Sequence, residues 1–90
     1  MVKEVRVKKS KNLISYKEED EYLIINIYTN QIYALDKFSS FIWEELDKTS
    51  VISDIARVIA KRTNEDSQII QKDLDEFINS LSKGGLIKFV

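Results

Sequence analysis

Apolar residues along this chain follow two different periods, and the change falls near Asp36. Before it they come in short β-rich runs; after it they recur every three to four residues. Leu13-Ile14-Ser15-Tyr16 predicts a short strand, closed by the polar run 17–21. Tyr22-Leu23-Ile24-Ile25-Asn26-Ile27-Tyr28 predicts the strongest strand of the chain. It is β-branched, aromatic and almost continuously apolar, which implies a central position with both faces covered. Thr29-Asn30 predicts a tight turn, Asn30 tolerating a positive φ, and Gln31-Ile32-Tyr33-Ala34-Leu35 the antiparallel return strand.

Asp36 is suited to cap a helix, its carboxylate accepting from free N–H groups of the first turn. Phe38, Phe41, Ile42 and Leu46 then mark the inner face of a helix of about ten residues. Ser50 or Ser53 is expected to cap a second helix, with Ile52, Ile55, Ala56 and Ile59 inside. Asp66 or Ser67 starts a third, in which Ile70, Leu74, Phe77, Ile78 and Leu81 form the cleanest amphipathic stripe. Gly84-Gly85 supplies a left-handed stop, and Leu86–Val90 is a last extended run. The predicted class is α+β: a three-stranded antiparallel sheet followed by a three-helix, winged helix-turn-helix-like bundle.

Ninety residues hold one domain, taken as 1–90 with 1–12 as a basic, partly flexible arm. The chain has no Cys and no His. That removes disulfides, thiolate and imidazole catalysis and most transition-metal sites. No apolar run approaches the roughly 20 residues needed to span a bilayer, and the N-terminus lacks a secretory apolar core. The expectation is a cytoplasmic domain that is not an enzyme and carries no cofactor or metal. Net charge is only −1, but residues 1–17 carry six bases and one acid, and residues 18–21 are Glu-Glu-Asp-Glu. Such a basic head either holds an acidic partner or membrane surface, or is a solvated arm; the arm is the plainer reading.

Three functional readings follow from the residues. A DNA-reading third helix needs cationic and amide donors. This one sets Lys72 and Lys83 against Asp73, Asp75 and Glu76, so a DNA-binding regulator stays the alternative function and no nucleic acid is expected. Asp73 and Glu76 are helical neighbours, yet lack the further oxygen ligands of a calcium loop. The remaining feature is strand 31–35, which leaves a tight turn, feeds a helix and so falls at the sheet edge. An edge is either blunted by its own surroundings or open to an extended peptide added as another strand.

Particular runs also resemble the PqqD-like family, the recognition elements that serve biosynthesis of ribosomally made, post-translationally modified peptides. Ile32-Tyr33-Ala34-Leu35-Asp36 is similar to that family's Leu-Asn turn into the first helix, with Asp36 in the Asn place. Phe41-Ile42-Trp43-Glu44-Glu45-Leu46 resembles its Ile-Trp-x-x-Leu run, and Val51–Ala56 its second-helix start. Asp73–Leu81 with Gly85-Leu86-Ile87 resembles its Asp-Val-x-x-Phe-Leu-x-x-Leu…Gly-Leu-Ile ending. The Gly-rich loop often found between the first two helices is here Asp47-Lys48-Thr49-Ser50. The resemblance implies a stand-alone, non-catalytic domain that binds a precursor's leader segment as a fourth strand on strand 31–35. It implies presentation to a modifying enzyme: a leader peptidase, a cyclase or a radical SAM enzyme. Lasso peptides, thioether-bridged peptides and quinone cofactors are all compatible product classes. Carried onto this chain, the backbones of Ile32, Tyr33, Ala34 and Leu35 bond the peptide, and Ile69, Lys72, Asp73, Glu76 and Phe77 line the facing helix. Phe77 belongs equally to the core. The free chain is expected as a monomer or a homodimer joined through the exposed edge.

Overall fold

The computed structural model describes residues 5–90. Its elements run β1 (Val7–Lys9), β2 (Leu13–Glu18), β3 (Glu21–Asn26), β4 (Gln31–Leu35), α1 (Lys37–Glu45), α2 (Ile52–Thr63), α3 (Ser67–Lys83) and β5 (Ile87–Phe89). β2, β3 and β4 form one antiparallel sheet in that order, and β1 pairs with β5 in a second, two-stranded sheet. A three-stranded sheet followed by three helices is the architecture the sequence predicts.

The large sheet is covered on one face only, which corrects the expectation for β3. Ile24 is fully buried and Asn26 nearly so, whereas Leu23, just before Ile24, is exposed. The register sets Ile14, Ile25 and Ile32 in one row across the three strands, and Tyr16, Leu23 and Ala34 in the next. Both rows point away from the helices; Ile32 is 62% exposed and Tyr16 59%. The nearly continuous apolar run of β3 thus reflects two differently used faces, one packed on the helices and one open.

The basic arm is also corrected. From Val5 onward the chain is tied down: Val7 N–H donates to the Ser50 carbonyl (2.9 Å), Ile52 N–H to the Val5 carbonyl (3.0 Å) and Val90 N–H to the Arg6 carbonyl (3.0 Å). Val7 is buried, and Lys9 Nζ sits 4.1 Å above the Trp43 ring while pairing with Asp47 at 2.8 Å. Charge composition concealed this, because the lysines that make residues 5–11 look solvated alternate with one core valine. Residues 1–4 lie outside the described part of the chain.

The helices close the core as their spacing requires, with local exceptions. In α1 the inner residues are Ile42 and Trp43 with Ser40; Phe38, expected inside, is exposed. α2 is capped by neither Ser50 nor Ser53. Val51 holds the cap position; the Thr49 hydroxyl accepts from Val51 N–H (3.1 Å) and donates to Asp54 (3.2 Å). Asp66 caps α3 by accepting from Gln68 N–H at 2.8 Å. At its other end Gly85 takes φ +75°, and Leu86 N–H reaches back to the Leu81 carbonyl at 2.9 Å. This six-to-one bond turns the chain into β5 and packs Leu86 into the core.

Asp36 accepts from Ser39 N–H at 2.8 Å, and this bond holds its carboxyl below the ordinary 3.8. Glu44 is likewise lowered from 4.5, chiefly by its hydrogen bond with Lys17, which in turn raises Lys17 above 10.5. The carboxylates contribute fully above their ordinary values and lose that contribution as pH falls through the lowered ones. Lys17 contributes below 10.5 and loses its share only in stronger alkali. With no His in the chain, the melting temperature should be level from about pH 5 to 8 and fall on acidification. Asp36→Ala should lower stability at pH 7 by about 1 kcal/mol, a shift of about 4–8 °C in a thermal melt. Asp36→Ser, which keeps a capping oxygen without the charge, should recover most of that and lessen the acid loss.

Candidate functional site

Both outer strands of the β2-β3-β4 sheet leave one side without a strand neighbour. In an antiparallel ladder the N–H and C=O of one residue point the same way, and successive residues alternate. Two bonds fix the phase here. Ile27 N–H donates to the Asn12 carbonyl (2.9 Å), toward β2, and Tyr22 N–H donates to Ser40 Oγ (2.9 Å), toward β4. Tyr22, Ile24 and Asn26 therefore face β4, where their partners are Leu35, Tyr33 and Gln31. By alternation, Ile32 and Ala34 aim their N–H and C=O groups at the open side. Of the four backbones the sequence nominated, two are available; Tyr33 and Leu35 are committed to β3. Period-two alternation alone cannot say which pair faces outward, because it shifts with the bond that starts the ladder.

Ser40 sets that geometry at the far end. It is 1% exposed, and its hydroxyl accepts from Tyr22 and donates to the Leu35 carbonyl at 3.2 Å. It bridges the last β3–β4 pair at the point where the chain turns into α1. Asn26 does the corresponding work at the near end. Buried, it accepts from Tyr28 and Thr29 N–H groups (3.0 and 3.3 Å) and lies 3.4 Å from the Gly85 carbonyl through its amide nitrogen. The turn is consequently four residues, 27–30, rather than Thr29-Asn30 alone, and Asn30 closes it at φ 59° with its N–H on the Asn26 carbonyl (2.8 Å). Sequence reasoning places neither Ser40, read only as a helix-start residue, nor Asn26 at the site. Asn26 had a signal, as the one polar residue inside an apolar run.

Tyr33 joins β4 to the end of α3. Its hydroxyl lies 3.1 Å from the Gly84 carbonyl and also bonds Gln31 Oε1. A Cβ at Gly84 would sit 2.9 Å from that hydroxyl, so glycine is what permits the approach. From this tie Glu76 and Phe77 lie about 11–12 Å back along the helix axis, Lys72 and Asp73 about 17–18 Å and Ile69 about 22 Å. Ile69, Lys72, Asp73 and Glu76 are exposed and share one face by their spacing. Phe77 is half-buried and packs against the core. β4 itself is about 17 Å long, matching the stretch of α3 from Lys72 to Gly84.

The two edges differ chemically. β4 reads Gln-Ile-Tyr-Ala-Leu, without a charge, whereas β2 carries Lys17 and Glu18. Charged residues on an edge discourage pairing, and their absence on β4 leaves it receptive. The arrangement can take an extended chain along β4, with two N–H and two C=O groups waiting for it. Among the described residues no helix is long and apolar enough to cross a membrane.

No curated protein matches the chain. Two solved structures are similar to it. One, described as TbiB1 in complex with the TbiA(beta) leader peptide, is 25% identical, with a TM-score of 0.86 over 90% of this chain and 94% of that one. The other, lasso peptide synthetase B1 complexed with the leader peptide, is 13% identical and shares the fold, with a TM-score of 0.81 over 92% of this chain and 98% of that one. The sequence pattern of the family described as coenzyme PQQ synthesis protein D (PqqD) matches residues 21–87, from the start of β3 into β5. The chain belongs to the PqqD family.

Proposed function

We propose that this chain binds the leader segment of a ribosomally made precursor peptide as an antiparallel strand along β4, and presents it to a modifying enzyme. The observation that carries the reading is the open, uncharged edge on which Ile32 and Ala34 aim their main-chain groups outward. The similarity to TbiB1, whose structure contains a leader peptide, supports it. The chain acts as an adaptor and performs no chemistry of its own. Its partner enzyme is a leader peptidase, a cyclase or a radical SAM enzyme.

Four main-chain bonds at about 0.5–1.5 kcal/mol each give roughly 2–6 kcal/mol. Ordering a flexible leader costs about 2–5 kcal/mol. The ladder thus sets register and direction, and side chains supply the net affinity. Alternate peptide residues fall toward α3, where Phe77, Glu76, Asp73 and Lys72 receive them, with Ile69 meeting the end of a longer segment. The others lie beside Ile32 and Ala34 on the open apolar face. Dissociation constants in the micromolar to high-nanomolar range are expected.

The test has two steps. Immobilised chain is exposed to host lysate and retained small peptides are identified by mass spectrometry. Amide exchange of labelled protein is then measured with and without the recovered peptide. The amides of Ile32 and Ala34 should become protected, and those of Leu13, Ser15 and Lys17, which face outward from β2, should not. Protection confined to β2, or retention of nucleic acid in place of peptide, overturns the proposal.

A further inference from the structure

The basic head and the acidic run of the sequence are left unused by the strand-addition reading, and the fold puts them at opposite ends of one sheet. At the Leu35 end, Glu18, Glu19, Glu21 and Asp36 rim a cavity floored by Tyr16, Leu23 and Ala34, and no cation lines it. At the Gln31 end, the residue paired with Gln31, Asn26, lines a cleft that also holds Lys8, Lys9, Lys11 and Lys88, with no Asp or Glu side chain.

Each end also carries a like-charge pair placed directly across a ladder. Glu18 is the register partner of Glu21, and Lys8 of Lys88. Like charges in that position destabilise a sheet. Among the described residues, none of these four side chains has an ion-pair partner; Lys9, by contrast, is engaged by Asp47 and Trp43. The acidic turn bears a second strain, since Glu19 sits at φ 57°, a conformation that favours Gly or Asn. A ligand of opposite charge at each end relieves both repulsions.

β4 runs from Gln31 to Leu35, so a strand antiparallel to it enters at the acidic end and leaves at the basic one. We infer that the edge selects peptides by charge polarity: Lys or Arg in the N-terminal part of the bound segment and Asp or Glu in the part just beyond it. A basic side chain entering beside Ala34, the smallest residue of its row, lays its stem over Leu23 and Tyr16 and its head against Glu18 and Glu21. The acidic C-terminal continuation crosses the turn 27–30 toward Lys8, Lys11 and Lys88, whose cleft begins at Asn26 of β3, two strand spacings or about 10 Å from the added strand. This inference rests on the strand-addition reading and adds direction and charge to it.

The test is selection from a displayed library of random peptides about twelve residues long, enough to cover β4 and both ends. Recovered sequences should carry basic residues before acidic ones. A synthetic consensus should bind about tenfold more tightly than a copy with its two charged ends exchanged, and the difference should shrink in 1 M salt, where screening acts within about 3 Å. Glu21→Gln should raise the melting temperature of the free chain while weakening the consensus about threefold, a combination that a purely structural glutamate does not produce. Recovered peptides without charge order, or equal binding of the two synthetic copies, overturn the inference and leave strand addition standing. A library from which nothing is enriched overturns strand addition, and this inference with it.

Discussion

Ala34→Pro should lower affinity for the recovered peptide by about 10- to 100-fold, by removing one edge donor and setting a ring against the incoming strand. The free domain should barely notice. The Ala34 amide faces the open side, so no bond to β3 is lost, and an edge strand tolerates the fixed φ of proline. Ile32→Pro should behave alike. Tyr33→Pro is a different experiment, because that amide faces Ile24 and its side chain holds Gly84. It should unravel the β3–β4 hairpin, since proline deletes a ladder donor and leaves its carbonyl partner unsatisfied at a cost of about 1–3 kcal/mol. Ser15→Pro, whose amide faces outward on the opposite edge, should leave peptide affinity unchanged. Calorimetric titration of each variant, with circular dichroism to report folding, decides among them. Full affinity in folded Ala34→Pro moves the site away from β4.

Trp43→Ala should cost about 3–5 kcal/mol, a large share of the roughly 5–15 kcal/mol that stabilises a domain. Trp43 is 2% exposed in a core with Ile42, Ile55 and Ile24, so the void it leaves cannot fill with water at low cost. It also carries Lys9 on its ring, and Lys9 belongs to β1, which holds β5 in place. Loss of the indole should therefore loosen β1 and β5 first, as faster amide exchange at Val7 and Ile87 than at Ile24. Trp43→Phe should keep most of the burial and fall between the two. A melting temperature within 2–3 °C of the parent for Trp43→Ala, well short of the drop such a loss implies, would show that the core lies elsewhere.

Much of the fold was legible because the relevant interactions are local. The stripes of α2 and α3 are set by spacing along one helix, and Ile52, Ile55, Ala56, Ile59, Ile70, Leu74, Ile78 and Leu81 are all buried as that spacing predicts. Asp36 and Asp66 act on amides two or three residues away, and Asn30 adopts the left-handed conformation its side chain favours. β4 as an edge followed from a hairpin feeding directly into a helix, and the run of motifs resembling PqqD located the family.

What the sequence left open depends on partners far along the chain. That Val7 is core was decided by β5, some eighty residues later, and by the start of α2. That β3 buries one face and opens the other was decided by where the helices dock, since an apolar run looks the same in both cases. The backbones of Ile32 and Ala34 face outward because Ser40 of α1 and Asn12 before β2 set the ladder's phase. Opposite charges lie at opposite ends of that sheet because the β2–β3 turn closes one end and the β1–β5 pair lies against the other. Periodicity records which face a residue shares with its neighbours in sequence; what covers that face is decided by elements folding back from elsewhere.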